Sequence, residues 1–396
     1  MKIGIFTDTY SPSVNETSII LEPLVGRLKK MGHKVTVVAP TNVMVVEDNE
    51  DVVRLNSNCD LGDNLVSERA SKCSRADIKA VMEKDYDIIH VLGDYCAPTL
   101  GLKVAKEKNI PCIVTYTKDT VQSYVLSQEK LERKVRKFKV NHLNKRLAKY
   151  TKSANHSFSF FPSTAKEYVE DVVKYGLDIS SISRISDEDV DAFVKEYKLK
   201  GKNAYMYVCD GRVDNNIQVI VGKFKDIIAK DKKTTLLVIG SCSEELDSII
   251  PEEIKGNVVI VEGMDKLGLC YKVAKAYIHT GTINGSYVYC TIAMMLGVPV
   301  VAEYSEGIKD LIEDYKSGVL FHSIDEIEDL LKILSKDKDL VEKLKSNASK
   351  VKKEYDADLF ANNLAHLYLK VIRRKNSERK DDKYKNRKTR RKYANK

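Results

Sequence analysis

Proline is scarce in this chain, eight residues in 396, and no low-complexity core interrupts it. That composition excludes a collagenous or wholly disordered chain and fits a globular one, with a length comfortable for two domains. Paired cysteines are also missing. The eight thiols stand singly at Cys59, Cys73, Cys96, Cys112, Cys209, Cys242, Cys270 and Cys290. Such spacing argues against a disulfide frame or a zinc site and reads as reduced, small buried hydrophobes of a cytosolic protein. No long apolar run is present either. The nearest, Ile292 to Ala302, contains Gly297 and Pro299 and falls well short of the roughly 20 residues that span a bilayer. Met1 to Asp8 reads as a buried strand, because no signal-peptide core or cleavage site follows it.

What is abundant is positive charge, and it is concentrated. The net charge is +9, yet Arg373 to Lys396 alone holds thirteen Lys/Arg against three Asp/Glu. A second concentration, Glu129 to Lys152, has ten basic and two acidic side chains. The remainder is acidic. This distribution points to an anionic surface as partner.

Hydrophobic patterning divides the chain into two similar halves. Strand-like runs occur at Lys2–Thr7, Lys34–Ala39, Val52–Leu55, Asp87–Leu92, Pro111–Tyr116 and Ser157–Phe161. Helical stripes alternate with them, as in Ile20, Leu24, Leu28 and Met31, stopped by Gly32. After a polar, irregular stretch at 179–191 the pattern restarts, with strands at Ala204–Cys209, Thr235–Ile239, Val258–Val261, Tyr277–His279, Val298–Ala302 and Val319–Phe321. Strand–helix–strand repetition predicts parallel βαβ units, hence an α/β protein of two facing Rossmann-like domains. The boundaries expected are 1–190 for the acceptor- and membrane-facing domain and 200–356 for the nucleotide-sugar-type domain. A helix at 357–372 is expected to pack back on the first domain, and the basic tail 373–396 to be disordered.

Several segments carry a resemblance. These are the opening Met1-Lys2-Ile3-Gly4-Ile5-Phe6-Thr7-Asp8-Thr9-Tyr10-Ser11-Pro12, Asp87 to His90, Gly211-Arg212 with Asn216-Ile217, Gly297 to Ala302, and Gly307 to Phe321. Collinear over roughly 1–372, they are similar to family 4 of the retaining glycosyltransferases, including its bacterial diacylglycerol glucosyltransferases. The resemblance implies the glycosyltransferase-B (GT-B) fold, a UDP-sugar donor, no cofactor and no metal.

The family's functional positions are largely replaced. Its glycine-rich loop reads Val14-Asn15-Glu16-Thr17 here. Its acceptor-side histidines are Val114 and Thr117, and hydroxyls do not titrate as imidazole does. The diphosphate lysine falls in Asp214-Asn215-Asn216. The two glutamates, seven residues apart, become Asn284 and Ile292, and isoleucine takes no hydrogen bond from a ribose.

The remaining candidates fall into three groups. Arg212 and the segment Asn284, Gly285, Ser286, Tyr287 are the expected diphosphate contacts, a guanidinium fork and helix-start amides; plain helix capping is the favoured reading of the second. Asp94, Thr115, Thr117 and Lys118 are the expected acceptor-side residues, with His90 read as structural. In the basic helix, Leu131, Val135, Phe138, His142 and Leu147 form an apolar stripe. Arg133, Lys134, Arg136, Lys137, Lys145 and Arg146 border it, a pattern suited to an anionic lipid interface.

Two functions stay open on this reading. One is a metal-independent transferase moving a hexose from a UDP-glucose-type donor to a membrane lipid such as diacylglycerol. It would work as a peripheral protein at the cytoplasmic face of the plasma membrane. The other is a catalytically inactive relative that holds or regulates a protein partner at that surface. A third use, RNA held by the tail through phosphate contacts, lacks any recognisable nucleic-acid module.

Overall fold

The structure is a computed structural model. It describes residues 1–12, 15–41, 50–56, 73–94, 96–117, 133–160, 169–209, 215–240, 243–281, 287–305 and 307–394, with side chains of the last helix described through Arg379. In the first domain the strands are β1 (Lys2–Thr7), β2 (Lys34–Pro40), β3 (Val52–Leu55), β4 (Ile88–Leu92), β5 (Cys112–Tyr116), β6 (His156–Ser159) and β7 (Asp171–Val172). They form one parallel sheet in the order β3-β2-β1-β4-β5-β6-β7. Its helices are α1 (Glu16–Lys30), α2 (Arg75–Met82), α3 (Cys96–Glu107) and α4 (Arg133–Thr151). Two short helices, α5 (Ser180–Ser183) and α6 (Asp187–Glu196), occupy the stretch read as irregular. A capping box between Ser186 and Asp189 starts the second of them.

The second domain repeats the plan. Strands β8 (Asn203–Cys209), β9 (Thr234–Gly240), β10 (Val258–Glu262), β11 (Ala276–His279), β12 (Val300–Glu303) and β13 (Val319–Phe321) lie in the parallel order β10-β9-β8-β11-β12-β13. Helices α7 (Asn215–Lys230), α8 (Ser243–Ile249), α9 (Leu267–Val273) and α10 (Val288–Leu296) alternate with them. Three more follow: α11 (Ile327–Lys336), α12 (Lys338–Ser346) and α13 (Ala348–Glu354). In each sheet the order reverses beside the first strand of the domain, between β1 and β4 and between β8 and β11. Such a switch point opens a crevice at the carboxyl ends of the strands. Sheets covered on both faces need nearly continuous apolar strands, which is why β4, β5 and β9 are buried throughout.

The chain then returns. After α13 the Tyr355 carbonyl accepts the Leu177 amide at 2.8 Å, and Leu177 pairs with Asp356 in a parallel bridge. Helix α14 (Ala357–Ala394) docks on the first domain. Arg27 of α1 bonds Asp358 at 2.7 Å and Asp178 at 3.0 Å, and Phe360 packs on Phe160. One buried apolar cluster joins β1, α1 and α14 to α10 and β11 of the second domain.

The expected disordered tail is instead the continuation of α14 to Ala394. Between Ala357 and Ala394 there is no glycine or proline, and lysine and arginine are good helix formers. Arg374 pairs with Glu378 one turn on, and Arg379 donates to the Asn109 carbonyl of the first domain. Cations near a helix C-terminus also oppose its dipole favourably. Among the described residues no helix is long and apolar enough to cross a membrane.

Gly176 is the tight point of the return. A Cβ there would lie 2.6 Å from the Phe360 Cβ, 2.7 Å from the Ala357 Cα and 2.9 Å from the Asp356 carbonyl. Gly176→Ala is therefore expected to destabilise the protein by about 1–3 kcal/mol, read as a lower urea midpoint, whereas Gly222→Ala, with open space around it, should not.

Candidate functional site

At the cleft ends of β1, β4 and β5 the first domain gathers Asp8, Asp94 and Thr117. Asp94 has a side chain only 6% exposed, and its carboxylate accepts from Arg146 of α4 at 2.8 Å. Asp8 accepts the Ala97 amide in the first turn of α3 at 3.3 Å. Thr117 lies 3.4 Å, hydroxyl to hydroxyl, from Thr17 of α1. Asp94 and Thr117 are thus brought to the same strand ends. Lys118 lies outside the described residues.

Thr115 does not face the cleft. It is fully buried, and its hydroxyl lies 2.6 Å from His90 Nε2, while His90 Nδ1 lies 2.7 Å from the Tyr368 hydroxyl of α14. Every residue of β5 is covered, so the acceptor-side role expected of Thr115 is corrected to support of a core histidine. Burial pushes His90 down to about 3, so it is a neutral ring that exchanges one donated and one accepted bond. His90 is structural, as its sequence setting indicates.

Helix α4 also departs from the expected stripe. Leu147 and Leu143 turn into the first domain's core, whereas Phe138 is 74% and Val135 42% exposed. Lys134, Lys137, Phe138, Lys139, His142, Lys145 and Arg146 are all exposed. Leu147 alone of the described stripe residues, with Leu143 beside it, therefore anchors the helix to its own domain, and Val135, Phe138 and His142 project. Leu131 and the side chains of Arg133 and Arg136 lie outside the described residues.

In the second domain Arg212, Asn284, Gly285 and Ser286 lie outside the described residues. Tyr287 is described and 3% exposed. Its hydroxyl lies 3.0 Å from that of Ser305, and its carbonyl accepts the Thr291 amide at 2.9 Å, starting α10. Ile292 is buried on that helix, and Thr291 bonds Tyr175 across the domain boundary at 2.7 Å.

The strand ends hold residues that motif reading missed. Tyr207 at β8 bonds Thr280 after β11 at 2.9 Å. Gly281, with φ of +67°, gives its amide to Glu303 at the end of β12, 2.7 Å away. His279 lies edge-on to Tyr287 and 3.4 Å from the Tyr277 hydroxyl. Its Nε2 is buried and finds no partner among the described residues. The available signal was position: each lies within two residues of the end of a strand. Glu16, at the first turn of α1, acts across the cleft. Behind burial, its carboxylate is the next cause that pushes the Cys290 thiol up.

Comparison with known proteins agrees with this geometry. Residues 20–177 match the model described as Glycosyltransferase Family 4, and residues 189–351 match Glycosyl transferases group 1. Two curated proteins named alpha-monoglucosyldiacylglycerol synthase are similar to the chain. That of Acholeplasma laidlawii is 22% identical, over 96% of this chain and 99% of its own. That of Streptococcus pneumoniae is 24% identical, over 81% and 75%. In fold, a glycosyltransferase of Rickettsia africae superposes with a TM-score of 0.69 at 12% identity, covering 94% of this chain and 99% of that one. Anabaena HepE in complex with UDP and glucose superposes with a TM-score of 0.68 at 14% identity, covering 93% and 99%. Two facing parallel-sheet domains with these matches define a GT-B glycosyltransferase of the family 4 and group 1 type. Within that class, the chain resembles the diacylglycerol glucosyltransferases.

Two buried imidazoles generate a pH prediction. Burial pushes His90 to about 3 and His279 to about 4. An unfolded imidazole titrates near 6.5, so from about pH 6.5 downward the unfolded chain binds protons that the folded chain does not. Stability is full above that pH and falls as acid is added. In His90→Gln the urea midpoint should start lower but decline less steeply between about pH 6.5 and about 4. A slope equal to the parent's would mean that His90 is not held neutral.

Proposed function

We propose that the protein transfers a hexose from a nucleotide sugar of the UDP-glucose type to a membrane lipid such as diacylglycerol. It does so as a peripheral protein on the cytoplasmic, anionic face of the membrane. The observation that carries this reading is α4. Its outer half presents Phe138 among Lys134, Lys137 and Lys139, and further along the same helix Arg146 grips Asp94 at the cleft. An exposed aromatic ringed by ammonium groups suits a phosphate-rich interface, the ring in the acyl boundary and the charges among headgroups. The full-length similarity to the Acholeplasma synthase supports the same substrate class.

On this proposal Asp94, Thr117 and Lys118 orient the acceptor hydroxyl. Arg212 and the segment 284–287 hold the donor diphosphate. The acceptor oxygen bonds to the anomeric carbon on the face that the nucleotide diphosphate leaves, and the acceptor proton passes to the departing phosphate oxygen. No protein nucleophile or metal is invoked.

A second reading, a catalytically inactive relative that holds a protein partner at the membrane, draws on specific observations. Ile292 is buried where a ribose-binding glutamate is expected, and the Gly281 amide is already taken by Glu303. Calorimetric titration with UDP, UDP-glucose and UDP-galactose separates the two. The transferase reading expects micromolar binding that Arg212→Ala abolishes, together with label from UDP-glucose appearing in diacylglycerol of vesicles. Binding weaker than millimolar for all three nucleotides would leave the inactive reading standing.

The membrane contact has its own test. Exposed lysines near an anionic surface contribute about 1 kcal/mol each. Replacing Lys134, Lys137 and Lys139 by alanine should weaken binding to phosphatidylglycerol vesicles on the order of a hundredfold. Unchanged partition, measured by co-sedimentation, would remove α4 as the contact.

A further inference from the structure

Two cysteines depart from the buried, structural role that their scattered spacing suggested. Cys112, Cys209, Cys270 and Cys290 are buried, whereas Cys73 and Cys96 are half-exposed. These two are also neighbours. Cys73 directly precedes Ser74, the cap of α2, and Cys96 is the first residue of α3. The Cys73 Sγ lies 3.8 Å from the Cys96 carbonyl oxygen, and the Cys96 thiol is near enough to act on that of Cys73.

Neither helix start depends on a thiol. Asp77 accepts the Ser74 amide at 2.7 Å and Ser74 accepts that of Asp77 at 3.0 Å, closing the cap of α2. Asp8 takes the Ala97 amide in α3. The thiols can therefore change partners without unwinding either helix. A disulfide demands Cβ atoms about 3.5–4.5 Å apart, so closure needs a shift of the residue before α2 to set that spacing, and rotation about χ1 then turns the two sulfurs toward each other.

We propose that Cys73 and Cys96 are a redox modification site, a dithiol that closes to an intramolecular disulfide when met by a small disulfide oxidant. One cysteine thiolate attacks the oxidant's sulfur–sulfur bond and expels a thiolate, giving a mixed disulfide. The other cysteine thiolate then attacks the cysteine sulfur of that mixed disulfide and expels the second oxidant thiolate. The two cysteines lose two electrons, the oxidant is reduced to two thiols, and the two cysteine protons end on those thiols. The closed ring encloses α2 and β4 and ties the entry of α2 to the cleft end of β4, two residues beyond Asp94.

Burial pushes the Cys73 thiol up to about 12, with Cys96, Asp77 and Asp8 adding in the same direction. Thiolate is the reactive form, so closure is slow near neutrality and quickens as pH rises. This inference stands apart from the proposed transfer reaction and needs no assay of it.

The test is peptide mapping of the full chain. Reduced protein, freed of reductant, is incubated with oxidised glutathione at about pH 7 and about pH 9. It is then quenched with N-ethylmaleimide, digested and analysed by mass spectrometry. The expected result is a peptide pair joined through Cys73 and Cys96, forming faster at the higher pH. Cys96→Ser should abolish the joined pair and leave Cys73 capped by maleimide or glutathione, while Cys112→Ser should leave it intact. Recovery of Cys73 and Cys96 from the parent protein only as separate capped peptides would overturn the proposal. So would a joined pair that persists at Cys73 in Cys96→Ser. The parent digest decides the matter even where a variant folds poorly.

Discussion

A backbone hydrogen bond 2.8 Å long, from the Leu177 amide to the Tyr355 carbonyl, marks where the chain's two passages between domains meet. One passage leaves the first sheet after β7, and the other returns to it as α14. Gly176 lies between them, close enough to Ala357 and Phe360 that no side chain fits without movement. From there α14 runs over α1 and reaches the core of the first sheet, where the Tyr368 hydroxyl meets His90. Because the crossing ties the second domain's last helices to the first domain's sheet, the cleft is bounded on both sides by one folded unit. The shared apolar cluster, which includes Tyr175, Tyr287, Ile292 and Phe360, is the packing consequence.

The same crossing constrains the chemistry of the cleft. Tyr175 leads into the crossing and bonds Thr291 on α10, the helix that begins where a donor's phosphates are expected. Glu16 stands opposite, near enough for its charge to act on both Tyr175 and Cys290. Glu303 adds a second carboxylate, committed to the Gly281 amide. Charges a few ångströms apart interact by about 4 kcal/mol near a protein surface, so two carboxylates in this cleft weigh against an unassisted diphosphate. A donor bound here must compete with Glu303 for a backbone amide or contact the segments around Arg212 and Asn284 instead. That competition is why the inactive reading has a physical footing beyond the substituted motifs.

The parallel architecture was legible because both sheets are covered on both faces, and buried strands declare themselves as short β-branched runs between helical stripes. Strand limits shifted by at most two residues, and β7, only two residues long, gave no pattern to read. Two larger errors share a cause. Charge density at 373–396 suggested disorder, yet helix propensity without a breaker continued α14 once its first turns were docked. In α4 the apolar period was present, but period alone does not say which partner covers it: Leu147 meets the core and Phe138 meets nothing comparable. Thr115 failed for a related reason. In a strand buried on both faces, alternation does not separate the residue that reaches the cleft from the one that supports a histidine. Glu303 and Gly281 lie outside the family's signature positions, and only their place at strand ends could have marked them.

Asp94 and Arg146 connect these two levels of structure. The carboxylate is nearly enclosed, whereas its guanidinium partner is 60% exposed. Such a pair is asymmetric in energy. The guanidinium itself loses little on exchanging Asp94 for solvent or an outside anion, because it is already largely hydrated. Asp94 has no such freedom, because a buried carboxylate that loses its cation keeps the desolvation penalty. The charge that steadies the cleft is therefore held by the helix whose outer half carries Phe138 and the lysines. On the proposed membrane-bound reading, whatever α4 touches outside is felt at the acceptor side through one guanidinium. An anionic surface that draws Arg146 outward would cost Asp94 one of its compensating partners and favour a new hydrogen-bond donor there. The hydroxyl of an incoming acceptor is a group that can supply it.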